Sequence, residues 1–379
     1  MTKILIAGAG VGGLALAQAL HHGGVDVSVF ERDPTPTIRN QGYRIHVDAN
    51  GNAALRACLP TAALELVRRT SGTNDDVLGG YTHQLEQLML QHFPGIPEGE
   101  ITNVDRNTFR QGLLTGLEGI VEFGRTVTGY EVGESGGVRA RFADGGENGD
   151  VLIGADGVGS AIRGQLLPHA TVRDLGVRCV YGRMPITEAT APLIPEVLAH
   201  GFNWVADESG LSAAFGPVRF RTPVPGATDF LMATLLVRPT RLGLTDEQLF
   251  ALTPEQLWKL TISATAAWHP ALRDLFAHAD PETFFPIPLR AADRVPPWRP
   301  GPVTLLGDAV HTMPPTGGSG ANTALQDAET LAGELLSAAR GEQALIDAVA
   351  AYQRVMLPRG FATVDASLRM AAQLFGEDY

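Results

Sequence analysis

Cysteine and lysine are nearly missing from this sequence. Its 379 residues hold two cysteines, Cys58 and Cys179, far apart and in neither a C-x-x-C nor a metal-ligand pattern; this argues against a disulfide framework and fits a reducing, cytoplasmic setting. Lys3 and Lys259 are the only lysines, and 29 Lys and Arg face 41 Asp and Glu, for a net charge of −12. No global field attracts a polyanion, so nucleic acid is not an expected partner. Long apolar runs are scarce too. Residues 4–20, behind Lys3, superficially read as a secretory leader, but Gly8, Gly10, Gly12 and Gly13 break the run and another strand-like stretch follows at 26–30, so the segment reads as folded core. Nothing else approaches the ~18 apolar residues of a membrane span, and no membrane partner is expected.

What is present is a globular composition, 44% hydrophobic and 18% charged. Single cores stop growing at roughly 250–300 residues, so two lobes are expected. Residues 3–8, 11–22 and 26–31 read as strand, helix and strand, a unit that starts a parallel sheet. Stretches 124–132, 138–142, 178–186, 213–220 and 230–237 alternate between Gly and Pro punctuation and suggest a largely antiparallel sheet. A Pro-rich link at 285–302 leads into a strand at 303–306, a Gly-rich turn and two helices. The first of these helices sets Ala321, Ala324, Leu325, Ala328, Leu331, Ala332, Leu335 and Leu336 on one apolar face.

Three motifs carry chemistry. In Gly8-Ala9-Gly10-Val11-Gly12-Gly13, the glycines Gly8, Gly10 and Gly13 hold the G-x-G-x-x-G positions between a strand and a helix, and Glu31 ends the next strand. The glycines permit a tight turn, admit a pyrophosphate and allow close packing, while a carboxylate at Glu31 suits ribose hydroxyls. An acid there disfavours a 2′-phosphate, leaving FAD or NAD for this pocket. The second motif, Asp156-Gly157 with Arg163 downstream, also reads as a tight turn capping a helix at Ser160. In the third, a strand ends at Gly307-Asp308 and the loop 315–322 opens a long helix, exposing backbone N–H groups at a positive helix end suited to a group that becomes anionic. No Ser-His-Asp order, His-Glu zinc signature or Walker lysine appears, so hydrolase and ATPase readings lack a site, and no metal is expected.

In this order and at these separations, the three motifs resemble the class A flavin-dependent aromatic hydroxylases, a family that includes salicylate-type hydroxylases, quinolone hydroxylases and tetracycline-inactivating monooxygenases. The likeness runs from about residue 4 to 328. It implies an α/β fold: a Rossmann-like FAD-binding domain of the glutathione-reductase type, a second domain on a mainly antiparallel sheet, and C-terminal helices. Residues 1–172 would form the first part of the FAD-binding domain, 173–290 the substrate-binding domain, and 291–379 the second part with the C-terminal helices. The implied cofactor is non-covalent FAD, with NADPH or NADH as a transient reductant.

Carried over by motif, Gly8, Gly10 and Gly13 would approach the FAD pyrophosphate, Glu31 the adenosine ribose, and Arg32 the adenine. Arg106, in Val104-Asp105-Arg106-Asn107-Thr108-Phe109-Arg110, resembles the family arginine that reaches the cofactor; a solvated helix face is the alternative, with Arg110 as the bystander. Asp156 and Gly157 are implied in FAD and NADPH binding, Asp308 in holding the ribityl chain, and Pro315, Gly318, Gly320, Ala321 and Asn322 in flanking the isoalloxazine. Ser319 stands where many relatives carry a larger polar residue. His311 reads as a packing or hydrogen-bonding residue rather than a general base. Arg39 and Arg44 are candidates for NADPH or a mobile flavin, with ordinary loop charge as the alternative. Candidate substrate contacts are Tyr181, Arg183, Phe202, Trp204, Phe215, Met232 and Phe375.

The implied reaction is hydroxylation of an aromatic or polyketide-like small molecule with O2 through a flavin C4a-hydroperoxide, by a monomer or homodimer. No side chain is an obligatory catalyst in this reading. Alternatives are an oxidase or epoxidase, a non-catalytic FAD-binding protein, and a flavin halogenase, although Trp204, Trp258, Trp268 and Trp298 form no W-x-W-x-I-P motif.

Overall fold

Lys3–Ala7 is apolar after its first residue, a pattern that suits a strand covered on both faces. In the computed structural model, which describes residues 2–37, 43–73, 77–93, 96–134 and 136–376, it is the middle strand of a five-stranded sheet. The order is Val303–Leu305, Val151–Gly154, Lys3–Ala7, Asp26–Glu31, Val121–Phe123, and every pairing is parallel. The helix Val11–His22 is buried from Gly12 through Leu20 because it lies between this sheet and the helix Gly320–Ala339. The last helix, Leu345–Phe375, continues through Pro358 and packs along Gly320–Ala339.

The second sheet has eight strands, in the order Phe285–Ala292, Val172–Tyr181, Phe230–Val237, Ser212–Val218, Phe202–Ala206, Val77–Thr82, Gln87–His92, with Arg183–Pro185 beside Phe230–Val237. Its pairings are antiparallel except that of Phe202–Ala206 with Val77–Thr82. One face joins the main core; the other is covered by Pro254–Ala264 and Pro270–Ala277 through Leu257, Leu272 and Phe276. The stretches expected at 124–132 and 138–142 do not enter this sheet. Gly129–Val132, Val138–Phe142 and Gly145–Gly149 form a separate three-stranded meander, as strands joined by short turns pair with their chain neighbours first.

Register places the motifs together. Ala7 lies opposite Phe30 on one side and Gly154 on the other, and Gly154 lies opposite Leu305. The four strands therefore end in line, and the loops after Ala7, Gly154 and Leu305 leave the sheet side by side. Ligands of open α/β sheets bind at such carboxyl ends.

Candidate cofactor and active site

Gly8 leaves the first strand with φ +106, and a Cβ there would sit 2.3 Å from the carbonyl oxygen of Ala155, so the first and second motifs touch through backbone alone. A Cβ on Gly13 would lie 2.2 Å from the oxygen of Gly8. At Gly10 that direction is open, with nothing within 4 Å among the described residues. Gly8 and Gly13 thus hold the turn, and Gly10 provides the space.

Glu31 is buried and largely committed to the chain: its carboxylate accepts the Ala9 amide at 2.8 Å and the Asp33 amide at 2.9 Å, and Arg110 Nη2 stands 3.4 Å away. A carboxylate has about four acceptor sites, so one is left for a ribose hydroxyl. Arg110 is no bystander. It is buried, donates to the oxygen of Ala9 at 3.2 Å and to Asp33 at 3.1 Å, and so pins the glycine turn from behind. Arg32 is exposed, and Arg39 lies outside the described residues.

Asp156 is spent on local structure. Its carboxylate accepts Ser160 Oγ at 2.5 Å and the amides of Ala161 and Ile162 at 2.8 and 3.4 Å, the helix-capping alternative realised. Gly157, at φ +76, keeps open space at its Cβ position. Arg163 bridges motifs by donating to Val158 and Ala309 oxygens at 2.7 and 3.0 Å.

Asp308 is exposed yet crowded by protein. Crowding raises its carboxyl pKa, opposed by nearby His311, and its carboxylate has no protein partner among the described residues. Behind it, His311 Nε2 lies 2.6 Å from Asp327 Oδ2, which also accepts the Gly307 amide at 3.0 Å, while Asp327 Oδ1 takes Arg359 Nη2 at 2.9 Å. Burial alone would lower the His311 pKa, but Asp327, and more weakly Asp308, lift it above the usual value. The stability from this pair is therefore fully present below the unfolded histidine pKa of about 6.5 and is lost as pH rises through the elevated folded value. Thermal melts of apoprotein from about pH 6 to 9 should show a decline that His311→Gln lacks; parallel curves would remove His311 from the stability balance.

The helix Gly320–Ala339 starts without a side-chain cap, so its first amides remain available. The preceding turn passes through Pro315–Gly317 and then Gly318, at φ +62. Asn322 is buried and faces the chain rather than the cleft: Oδ1 accepts the Asp48 amide at 3.1 Å, and Nδ2 donates to the oxygens of His46 and Gly318 at 3.0 and 3.2 Å. Gly320 and Ala321 occupy the uncapped first turn.

In the core shared by the two sheets, Tyr181 is stacked between Tyr43 at 5.0 Å and Phe285 at 5.4 Å, and the Arg106 guanidinium lies 5.4 Å over Tyr43 with Nη1 buried and without a hydrogen-bond partner among the described residues. Arg183 lies 5.2 Å over Phe230 and 3.7 Å from buried Asp105. Burial raises the Asp105 pKa, against the amides of Thr108 and Asn107 and against Arg183. Arg44 is a buried strand residue 5.7 Å over Phe202, rather than loop charge. Phe202 and Trp204 meet edge-on at 5.3 Å on the same face of their strand. Met232 is buried in the core on this side of the sheet. Phe215 points to the opposite face, 5.5 Å from Phe276; Phe375 packs half-buried at the end of the last helix. Sequence reasoning missed Tyr43, Asp105, Asp327 and Arg359. One signal was available: a carboxylate at 327 interrupts the apolar stretch of its helix.

The described pieces fit FAD: an open Gly10 cradle, an unpartnered carboxylate at Asp308, an orphaned guanidinium nitrogen on Arg106 and an uncapped helix start. Comparison with known proteins agrees. Residues 260–367 match the FAD binding domain family and residues 6–56 the NAD(P)-binding Rossmann-like domain. A candidate FAD-containing monooxygenase from Photorhabdus luminescens is 31% identical, with 99% of both chains covered and a TM-score of 0.86. The chain belongs to the FAD-dependent monooxygenases. The flavoprotein also resembles HpxO of Klebsiella pneumoniae, solved with FAD and uric acid, at 26% identity and TM-score 0.81 over 100% of this chain and 90% of that one. The dual O-methyltransferase/FAD-dependent monooxygenase CTB3 of Cercospora beticola is 31% identical over 99% of this chain but 46% of its own length. The flavoprotein thus spans about half the length of these curated dual-function relatives. FAD is its cofactor. No helix among the described residues is long and apolar enough to cross a membrane.

Proposed function

We propose that the chain is a single-component monooxygenase that uses NADPH or NADH and O2 to hydroxylate an aromatic or polyketide-like small molecule. The observation that carries this reading is the register that lines up the strands ending at Phe30, Ala7, Gly154 and Leu305, because it gathers all three motifs into one cleft. FAD, when bound, supplies the hydride acceptor and the site of oxygen activation. The rest falls to the chain. Gly10 admits the pyrophosphate on the turn that Gly8 and Gly13 hold; Glu31 takes the ribose and Asp308 the ribityl chain; Arg106 reaches the cofactor. Gly157, Pro315, Gly318, Gly320 and Ala321 shape the walls, Asn322 braces them from behind through His46 and Asp48, and the uncapped helix start favours negative charge beside it.

Asp156 acts here through the cap it provides, not by direct contact. The substrate lies between this cleft and the eight-stranded sheet, beside Tyr181, Arg183, Phe202, Trp204 and Met232, where aromatic side chains exclude water and the protein's task is positioning. Both cysteines are free and buried, which fits a reducing cytoplasmic setting.

The test is an anaerobic NADPH titration of the purified protein followed by visible absorbance. A flavin band that bleaches, faster with an aromatic ligand present, is the expected outcome. A flavin that stays oxidised with both NADPH and NADH would transfer the reducing step to a partner protein.

A further inference from the structure

His46 belongs to none of the three motifs, yet it stands at the edge of the cleft they form. Its strand, Arg44–His46, pairs with Asn103–Asp105. The ring Nδ1 lies 3.0 Å from the Thr102 oxygen. A carbonyl only accepts, so Nδ1 carries the proton, and in the neutral ring Nε2 is left as a bare acceptor. The main chain is fixed independently by Asn322 Nδ2 on the His46 oxygen at 3.0 Å. The side chain borders the glycine turn: a Cβ on Gly318 would lie 3.5 Å from His46 Cβ and 3.9 Å from Cδ2, the ring carbon bonded to Nε2.

The residue is exposed but crowded by protein. That crowding, reinforced by Arg44, holds its pKa below the usual histidine value; Asp48 and the Thr102 carbonyl oppose this without reversing it. The neutral ring is therefore the form present at pH 7.

We propose that His46 is a cofactor-contacting residue whose Nε2 accepts a hydrogen bond from a ring N–H of the FAD isoalloxazine. The inference rests on the placement of that ring against residues 315–322. Thr102 sets the tautomer, Asn322 sets the backbone, and Nε2, with no hydrogen-bond partner among the described residues, belongs to a ring whose Cδ2 edge lies beside Gly318. Burial first, and Arg44 second, disfavour a proton on Nε2 that would turn the acceptor into a donor. An O–H donor on the substrate offers the same chemistry from a second source, and the experiment separates the two.

Apoprotein of the full chain is titrated with FAD, following flavin fluorescence and the position of the visible band, for wild type, His46→Ala and His46→Gln. Loss of one hydrogen bond should weaken FAD binding about three- to tenfold in His46→Ala and shift the band. His46→Gln, which keeps an acceptor, should recover most of both. Unfolding of the apoproteins supplies the folding control. Unchanged FAD affinity and band position in a folded His46→Ala protein would overturn the assignment. If His46→Ala instead left FAD untouched and weakened only an aromatic ligand, the acceptor would serve the substrate and the proposal would fail. Failure of wild type itself to bind FAD would count against the cofactor cleft as a whole.

Discussion

Replacing Asp327 with alanine should cost about 3–5 kcal/mol of folding stability, the usual consequence of removing one partner from a buried charged network. The carboxylate is fully buried and serves three groups at once: His311, Arg359 and the Gly307 amide. Without it the amide is orphaned, and His311 must give up its proton or hold it without a partner. The loss should fall toward the lower end of the range, because the Arg359 side chain is 23% exposed and can rehydrate. Asp327→Asn, which keeps an acceptor but no charge, should lose less. Urea unfolding of the apoprotein measures this directly, and a midpoint indistinguishable from wild type would mean the network is dispensable. Since Gly307 precedes Asp308, the alanine variant should also bind FAD more weakly than its stability alone explains.

Asp308→Ala is expected to show the reverse pattern, with stability kept and cofactor lost. Its carboxylate has no partner to abandon among the described residues, so the apoprotein should unfold as wild type does. A hydrogen bond from a ribityl hydroxyl to a carboxylate is worth about 1.5–3 kcal/mol, or roughly 10- to 100-fold in affinity. The variant should therefore purify largely colourless. The ratio of visible to ultraviolet absorbance after purification reads this out, and undiminished flavin content would remove Asp308 from the ribityl role.

The parts of the fold legible from sequence were those with strong local punctuation. Gly8-Ala9-Gly10 sits between an apolar strand and a helix, and Gly307-Asp308 ends another strand; each carries its own boundary signals. Face selection was less legible. Phe215 looks like Phe202 in a strand, but alternation says only that neighbours point opposite ways, not which side meets the other lobe. Arg106 and Arg110 share a helix four residues apart. Arg110 is the buried one because Glu31 and Asp33, nearly eighty residues earlier, wait behind the glycine turn, and helical spacing alone does not identify such partners. Asp156 illustrates a different ambiguity: one residue type suits both a helix cap and a polar ligand, and the backbone amides around it decided for the cap. The hairpins after residue 129 kept their own company for lack of any sequence signal joining them to the larger sheet.

Asn322 ties the turn after Arg44–His46 to the start of a helix almost at the other end of the chain. During synthesis, then, the early half of the site must wait. A ribosome adding about 5–20 residues per second needs on the order of 15–60 seconds to make the stretch between Asp48 and Asn322. Throughout that interval the glycine turn can form against Glu31 and Arg110, but the wall beside Gly318 does not yet exist. Cofactor capture is consequently a late event in the life of the nascent chain, and a product cut short before the last two helices would carry the fingerprint without a completed place to use it.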